Sequence, residues 1–169
     1  FIGSRLVKRL LAENCEVYVL DSVPLSKALR LKKIKNHKNF FYKRGDLRSK
    51  KLLKNWYPKN ANILYHLASV VGVPHYINDP LALIDIIVIG TRNLLELAVE
   101  NKTRVLFTST SEVYGKNPNV PWTEDNDRVL GPTSIDRWSY SSSKAVCEHM
   151  LFALKKSANL KFSIVRLFN

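Results

Sequence analysis

The sequence has little cysteine. Cys15 and Cys147 are the only two and lie far apart. Such a pair makes neither a disulfide framework nor the clustered thiols of a metal site, so no metal is expected. Long apolar runs are missing as well. The most apolar stretch, 81–90, carries Asp85 and falls short of the roughly 20 residues that span a bilayer. Membrane association is therefore not expected. The first ten residues hold Arg5, Lys8 and Arg9 inside an apolar periodicity, which is not the pattern of a secretory leader. A reducing, cytoplasmic setting follows as the expectation. No internal repeat or low-complexity tract interrupts the chain.

Acid is scarce in one window. Between Lys27 and Lys54 there are twelve Lys/Arg and one acid, Asp46, so this window supplies most of the net charge of +13. Charge by itself is weak evidence for nucleic acid. The few aromatics of the window, Phe40, Phe41 and Tyr42, show no clear exposed pattern. The stripe is read as a solvated, Lys-rich surface with no nucleic-acid partner.

What remains is a globular composition, 46% hydrophobic and 24% charged, in 169 residues, enough for one domain. Helical and strand patterns alternate. Residues 5–14 have Leu6, Leu10 and Leu11 on one face, and 16–20 read as a strand. A short strand is expected at 40–42, a helix at 48–56 and a strand at 62–66. A long helix follows at 80–100, with Asp79 as cap and Pro80 at its first position. Then come a strand at 104–109, a helix at 137–156 and a strand at 162–167. Apolar strands separated by helices predict an α/β fold, a doubly wound parallel sheet covered on both faces. Ligands bind such sheets at the carboxyl ends of the strands. The chain opens on Phe1 and closes on what reads as a strand end, so a piece of a longer protein is expected, without its first strand and substrate domain.

Three groups of residues carry chemistry. Phe1, Ile2 and Gly3 open the first helix, where a glycine turn would seat a pyrophosphate on the helix N-terminus. Asp21 follows Gly3 by 18 residues at a strand end, the place of an acid that binds adenosine ribose hydroxyls and repels a 2′-phosphate. Tyr140 and Lys144 are spaced i, i+4 on one helix face. A nearby ammonium favours the phenolate, which lowers the Tyr pKa and makes Tyr140 a candidate general base. Finally, Thr108 to Gly115 gathers hydroxyls and the Glu112 carboxylate at a strand's carboxyl end. A hydroxyl there is placed to bond the oxygen that Tyr140 deprotonates.

Six segments in this order resemble the extended short-chain dehydrogenase/reductases, the NAD-dependent nucleotide-sugar epimerases, dehydratases and decarboxylases. They are Phe1-Ile2-Gly3, Gly45-Asp46-Leu47-Arg48, His66-Leu67-Ala68-Ser69, Ser109 to Gly115, Tyr140 to Lys144, and Val165 to Asn169. The resemblance covers the whole chain and implies a partial NAD-binding Rossmann domain over 1–169. It implies NAD held by Phe1, Ile2, Gly3, Asp21, Asp46, Leu47, Leu67, Ala68, Ser69, Tyr140 and Lys144. Asp46 and Leu47 would meet the adenine. Catalysis would fall to Thr110, Tyr140 and Lys144 with Ser111 and Glu112 beside them, and Asn169 would contact the nucleotide-sugar phosphate. A UDP-linked sugar is the implied substrate and a homodimer the implied assembly of the full-length protein. One departure is Ile87, where the family often has Asn before its Val-x-Gly-Thr segment, here Val88 to Thr91.

The reaction implied begins with oxidation at the sugar C4. Dehydratases of this family carry Asp-Glu after the Thr, whereas here Ser111 precedes Glu112. An extra Asp would repel a C5 carboxylate. Thr110-Ser111-Glu112 and Arg137-Trp138-Ser139-Tyr140 are similar to uronic-acid decarboxylases. UDP-glucuronate decarboxylation is thus the first reading. UDP-sugar 4-epimerisation is the second, because it needs only Thr110, Tyr140 and Lys144. A silent NAD-binding protein is the third.

Overall fold

The structure, a computed structural model, describes residues 1–70 and 78–168. The chain divides into two compact units, Phe1–Lys59 and Asn60–Asn169.

In the first unit, Val7 and Leu11 stand one helical turn apart, so helix α1 (Ile2–Ala12) buries a single apolar stripe. Strands β1 (Val17–Asp21) and β2 (Phe40–Arg44) follow, rich in aromatic and β-branched residues. They pair in parallel, in a register running from Val17 opposite Phe40 to Asp21 opposite Arg44. Val7, Leu11, Val17, Leu31 and Phe40 form the core. The short helix α2 (Leu29–Lys32) contributes Leu31. Ser49 caps helix α3 (Lys50–Trp56) by accepting from the Leu52 N–H.

In the second unit, β3 (Ile63–His66), β4 (Arg104–Thr110) and β5 (Phe162–Leu167) form a parallel sheet in the order β3-β4-β5. Helix α4 (Pro80–Glu100) starts where expected. The Asp79 carboxylate accepts from the Ala82 N–H at 2.9 Å, and Pro80 occupies the first turn. Helix α5 (Arg137–Ala158) stops at Asn159, which takes the left-handed conformation with φ 53°. Leu83, Ile87, Leu95 and Ala98 of α4 and Cys147 and Leu151 of α5 bury against Val105 and Phe107 of β4. Full burial of one such leucine is worth about 1.5–3 kcal/mol.

The fold is α/β and every strand pairing between named strands is parallel, as the alternation of patterns requires. The described strands form the parallel ladders β1–β2 in the first unit and β3–β4–β5 in the second. One detail differs from expectation: the cover of the second sheet is uneven. Phe162, Ile164 and Arg166 of β5 are part-buried while Ser163, Val165 and Leu167 are exposed, because α4 and α5 pack on the face of Leu64, Phe162 and Ile164. An apolar run alone does not reveal which of its two faces is covered. Several ends also move: α1 begins at Ile2, and β1, β2 and β4 run on to Asp21, Arg44 and Thr110.

Candidate active site

In the first unit, Gly3 lies in the first turn of α1, whose N-cap Phe1 provides no side-chain acceptor and whose first turn holds no acid. Such a helix start is suited to an anion. Asp21 is the last residue of β1 and is exposed. Its Oδ1 accepts from the Val23 N–H at 3.0 Å, a local turn that fixes the carboxylate. The Arg44 Nε donates to the Ser22 carbonyl at 3.1 Å and ties that turn to β2. Asp46 is committed to Arg48, accepting from its backbone N–H at 2.8 Å and from its guanidinium at 2.7 Å. These bonds hold its carboxyl below the usual range. Leu47 beside it is part-buried.

In the second unit, the parallel register carries the chemistry-bearing residues to the carboxyl ends of β3 and β4. Leu67, Ala68 and Ser69 follow β3, and Thr110 closes β4. Thr110 is buried, and its Oγ1 accepts from the Glu112 N–H at 3.2 Å, capping a 3-10 turn over Ser111–Tyr114. That cap turns Ser111 and Glu112 into a cavity of about 180 Å3, lined also by Gly115, Trp122, Arg137 and Trp138.

Two glycines make this cavity possible. Gly115 has φ 64°, and a Cβ there would run into the Val129 carbonyl. A Cβ on Gly131 would collide with the Trp138 indole. Trp122 donates from Nε1 to the Asn117 carbonyl at 3.0 Å and stacks on Tyr114, with ring centroids 5.0 Å apart. Tyr114 is held in turn by Arg166, whose guanidinium donates to the Tyr114 hydroxyl at 2.8 Å and to the Glu148 carboxylate at 2.7 and 3.1 Å.

Tyr140 and Lys144 share a face of α5 but are not coupled as the spacing predicts. The Lys144 side chain turns inward and is 2% exposed. Its Nζ donates to the Thr108 carbonyl at 2.8 Å and lies 4.8 Å from the centre of the Phe107 ring. Burial pushes its pKa down to about 8, against the opposing pull of Cys147 and Glu148. The Tyr140 pKa is raised, not lowered: burial raises it first, the Glu112 charge adds to this, and a hydrogen bond from Ser69 opposes both. An i, i+4 spacing brings two side chains near one another. Whether the ammonium reaches the phenol depends on what else it can bond, and here the Thr108 carbonyl takes it.

His66 is buried, with Nε2 2.8 Å from Thr91 Oγ1, and burial drives its pKa down to about 3. It is a neutral core histidine under the site. Ile87 is 3% exposed and belongs to the core, its carbonyl accepting from the Cys147 thiol at 3.5 Å. Asn169 lies outside the described residues. Among the described residues no group of three or more His, Cys, Asp or Glu side chains gathers as a metal site. No helix among them is long and apolar enough to cross a membrane. Sequence reasoning missed the contribution of Trp122, Gly115 and Gly131 to the cavity, and the Glu148–Arg166–Tyr114 chain behind it. Gly131-Pro132 marked a turn at most, and nothing in the spacing linked residue 148 to 166.

Comparison with known proteins adds the family context. The sequence model of the family described as GDP-mannose 4,6 dehydratase matches residues 1–169. A UDP-N-acetyl-alpha-D-glucosaminuronate decarboxylase of Bacillus cytotoxicus is 35% identical over 174 residues, covering 100% of this chain and 51% of the relative. The chain thus spans about half the length of that curated relative. A UDP-N-acetylglucosamine 4-epimerase from Methanobrevibacter ruminantium, solved with UDP-N-acetylmuramic acid, superposes with a TM-score of 0.83 at 29% identity, over 100% of this chain and 52% of that one. A dTDP-glucose 4,6-dehydratase double mutant from Streptomyces venezuelae, solved with NAD and DAU bound, gives 0.84 at 28% identity, over 98% and 52%.

Proposed function

The chain belongs to the GDP-mannose 4,6 dehydratase family, and from that premise we propose that the whole protein is an NAD-dependent nucleotide-sugar enzyme that decarboxylates a UDP-linked uronic acid. The observation that carries the choice is the Ser111–Glu112 pair in the cavity beside Arg137. Ser111 leaves a single carboxylate in that cavity. A second acid, as in the Asp-Glu pair of the dehydratases, would repel a sugar carboxylate. The similarity to the Bacillus cytotoxicus decarboxylase supports the same reading.

The residues present fit the cofactor. The uncapped start of α1 at Gly3 suits a pyrophosphate and the exposed Asp21 carboxylate suits ribose hydroxyls. Asp46 and Leu47 would meet the adenine, with Leu67, Ala68, Ser69, Tyr140 and Lys144 toward the nicotinamide end. When bound, NAD supplies the acceptor for oxidation at the sugar C4.

Tyr140 accepts the proton of the 4-hydroxyl. The Thr110 hydroxyl bonds the same oxygen as its charge develops. Lys144, one helical turn away and held by the Thr108 carbonyl, would serve the nicotinamide end of the cofactor rather than the phenol. Ser69 stabilises the phenolate by hydrogen bonding. Oxidation at C4 makes a uronate a β-keto acid. Its C5–C6 bond then breaks, CO2 leaves, and the electron pair passes into the C5–C4–O4 enolate. Ser111 and Glu112 position the ring, and Glu112 manages the proton that returns to C5. Asn169 would hold the nucleotide-sugar phosphate.

A 4-epimerase is the second reading, favoured by the likeness to the Methanobrevibacter ruminantium enzyme and needing only Thr110, Tyr140 and Lys144. Incubating the whole protein with UDP-glucuronate and with UDP-glucose, and identifying products by NMR, separates the two. CO2 with a UDP-4-keto-pentose, or with the UDP-pentose that results when the hydride taken from C4 is returned there, supports decarboxylation. An epimer without CO2 moves the assignment to the epimerases, and a 4-keto-6-deoxy sugar refutes the argument from Ser111. Glu112→Gln is expected to slow return of the proton to C5, and with it formation of the final product, more than oxidation at C4. In an epimerase the same change is mild.

A further inference from the structure

The cavity beside β4 contains a cation whose use the reaction steps above leave open. Its wall is made of Ser111, Glu112, Gly115, Trp122, Arg137 and Trp138. At about 180 Å3 it is smaller than the roughly 300–1,000 Å3 of a site that takes a whole drug-sized ligand. It therefore suits one ring of a larger molecule. Its two indoles offer apolar walls of the kind that suit the C–H face of a sugar.

The charges in and around it are asymmetric. Glu112 is the one acid in the wall, held at the β4 end by the Thr110 cap. Arg137 stands beside Trp138, its guanidinium carbon 5.6 Å from the centre of the Trp138 ring. Lys116 approaches the same ring, with Nζ also 5.6 Å from the centroid. Arg137 is exposed and makes no ion pair among the described residues. Two cations therefore flank the Trp138 ring, and Glu112 is the one anion in the wall. A neutral sugar has no use for that arrangement, whereas an anionic one is turned by it into a single orientation.

We propose that Arg137 is the specificity-determining residue that binds the carboxylate of the sugar ring, with Lys116 reinforcing the field and Trp138 holding both cations beside its ring. The inference rests on the reading of the protein as a uronate enzyme and deepens it. The guanidinium matches a carboxylate as a two-pronged donor, a match the point charge of a lysine does not reproduce. It also offsets the repulsion that Glu112 exerts on the same group.

The test uses the whole protein with NAD and compares UDP-glucuronate with neutral UDP-glucose. Binding of each is measured by calorimetry and CO2 release is followed separately. Arg137→Ala is expected to weaken UDP-glucuronate binding about 10- to 100-fold, the range for one charge-assisted hydrogen bond, and to leave UDP-glucose binding within about twofold. Arg137→Lys is expected to recover part of the loss, which also guards against misfolding of the alanine variant. Equal weakening of both sugars, no weakening of either, or failure of the wild-type protein to bind UDP-glucuronate overturns the proposal. Arg137-dependent uronate binding without CO2 release in the wild-type protein keeps the carboxylate subsite and refutes the decarboxylase reading. CO2 release that Arg137→Ala leaves unchanged, with uronate binding also unchanged, does the reverse.

Discussion

Replacing Lys144 with Met separates the catalytic and structural consequences of one buried cation. Lys144 is 2% exposed and its pKa falls from 10.5 to about 8. That fall corresponds to roughly 3 kcal/mol against the charged form in the folded state. At pH 7 the folded protein carries that penalty. Met fills nearly the same space without charge. It also forfeits the hydrogen bond to the Thr108 carbonyl, a loss of about 1 kcal/mol relative to a neutral amine. The variant is therefore expected to be about 2 kcal/mol more stable than wild type at pH 7, while turnover collapses.

The pH dependence gives a sharper check. Because the folded pKa lies below the unfolded one, the unfolded chain binds more protons between pH 8 and 10.5, and the wild-type protein gains stability as pH rises through that window. The variant lacks this gain, so the stability difference should swing by roughly 3 kcal/mol toward wild type between pH 7 and pH 10.5. Guanidinium chloride unfolding of both proteins at the two pH values measures it, and other titrating groups cancel in the difference. A gap that does not move with pH would refute the claim that the lysine is buried as a strained cation.

Tyr140→Phe is expected to lower turnover roughly 10²–10⁴-fold, the usual size of a general acid–base contribution, while NAD binding by fluorescence titration stays intact. Asp21 should make the protein prefer NAD over NADP, because its exposed carboxylate repels a 2′-phosphate; tighter binding of NADP in the same titration would overturn that assignment. Glu148→Gln removes the charge facing Arg166, whose side chain is 19% exposed and which keeps the Tyr114 hydroxyl and the Glu124 carbonyl as acceptors. The expected loss is about 1.5–3 kcal/mol, the range for a hydrogen bond to a charged group, read as a lower denaturant midpoint at unchanged slope.

How far this protein is legible from its residues depends on distance along the chain. Local signals did well. Asp79-Pro80 set the start of α4, the apolar run at 162–167 became β5, and apolar strands alternating with helices required parallel pairing. The candidate site was legible to the same extent. The shared helix face of Tyr140 and Lys144 and the strand-end place of Asp21 were legible because an i, i+4 spacing and a strand end are short-range geometry, whereas Thr110 was singled out only by the family resemblance. What tertiary structure alone decided were the choices among competing partners. Lys144 bonds the Thr108 carbonyl, and burial together with the Glu112 charge raises the Tyr140 pKa where the spacing predicted a fall. Gly115 and Gly131 left room beside Trp122 and Trp138, through close approaches to Val129 and Trp138 that no local pattern announces. Glu148 and Arg166 met across a helix and a strand. Sequence determines which groups are available and which face of an element they share. Packing determines which of them desolvate and which hydrogen bonds remain open to them, and the protonation and reach of the site follow from that.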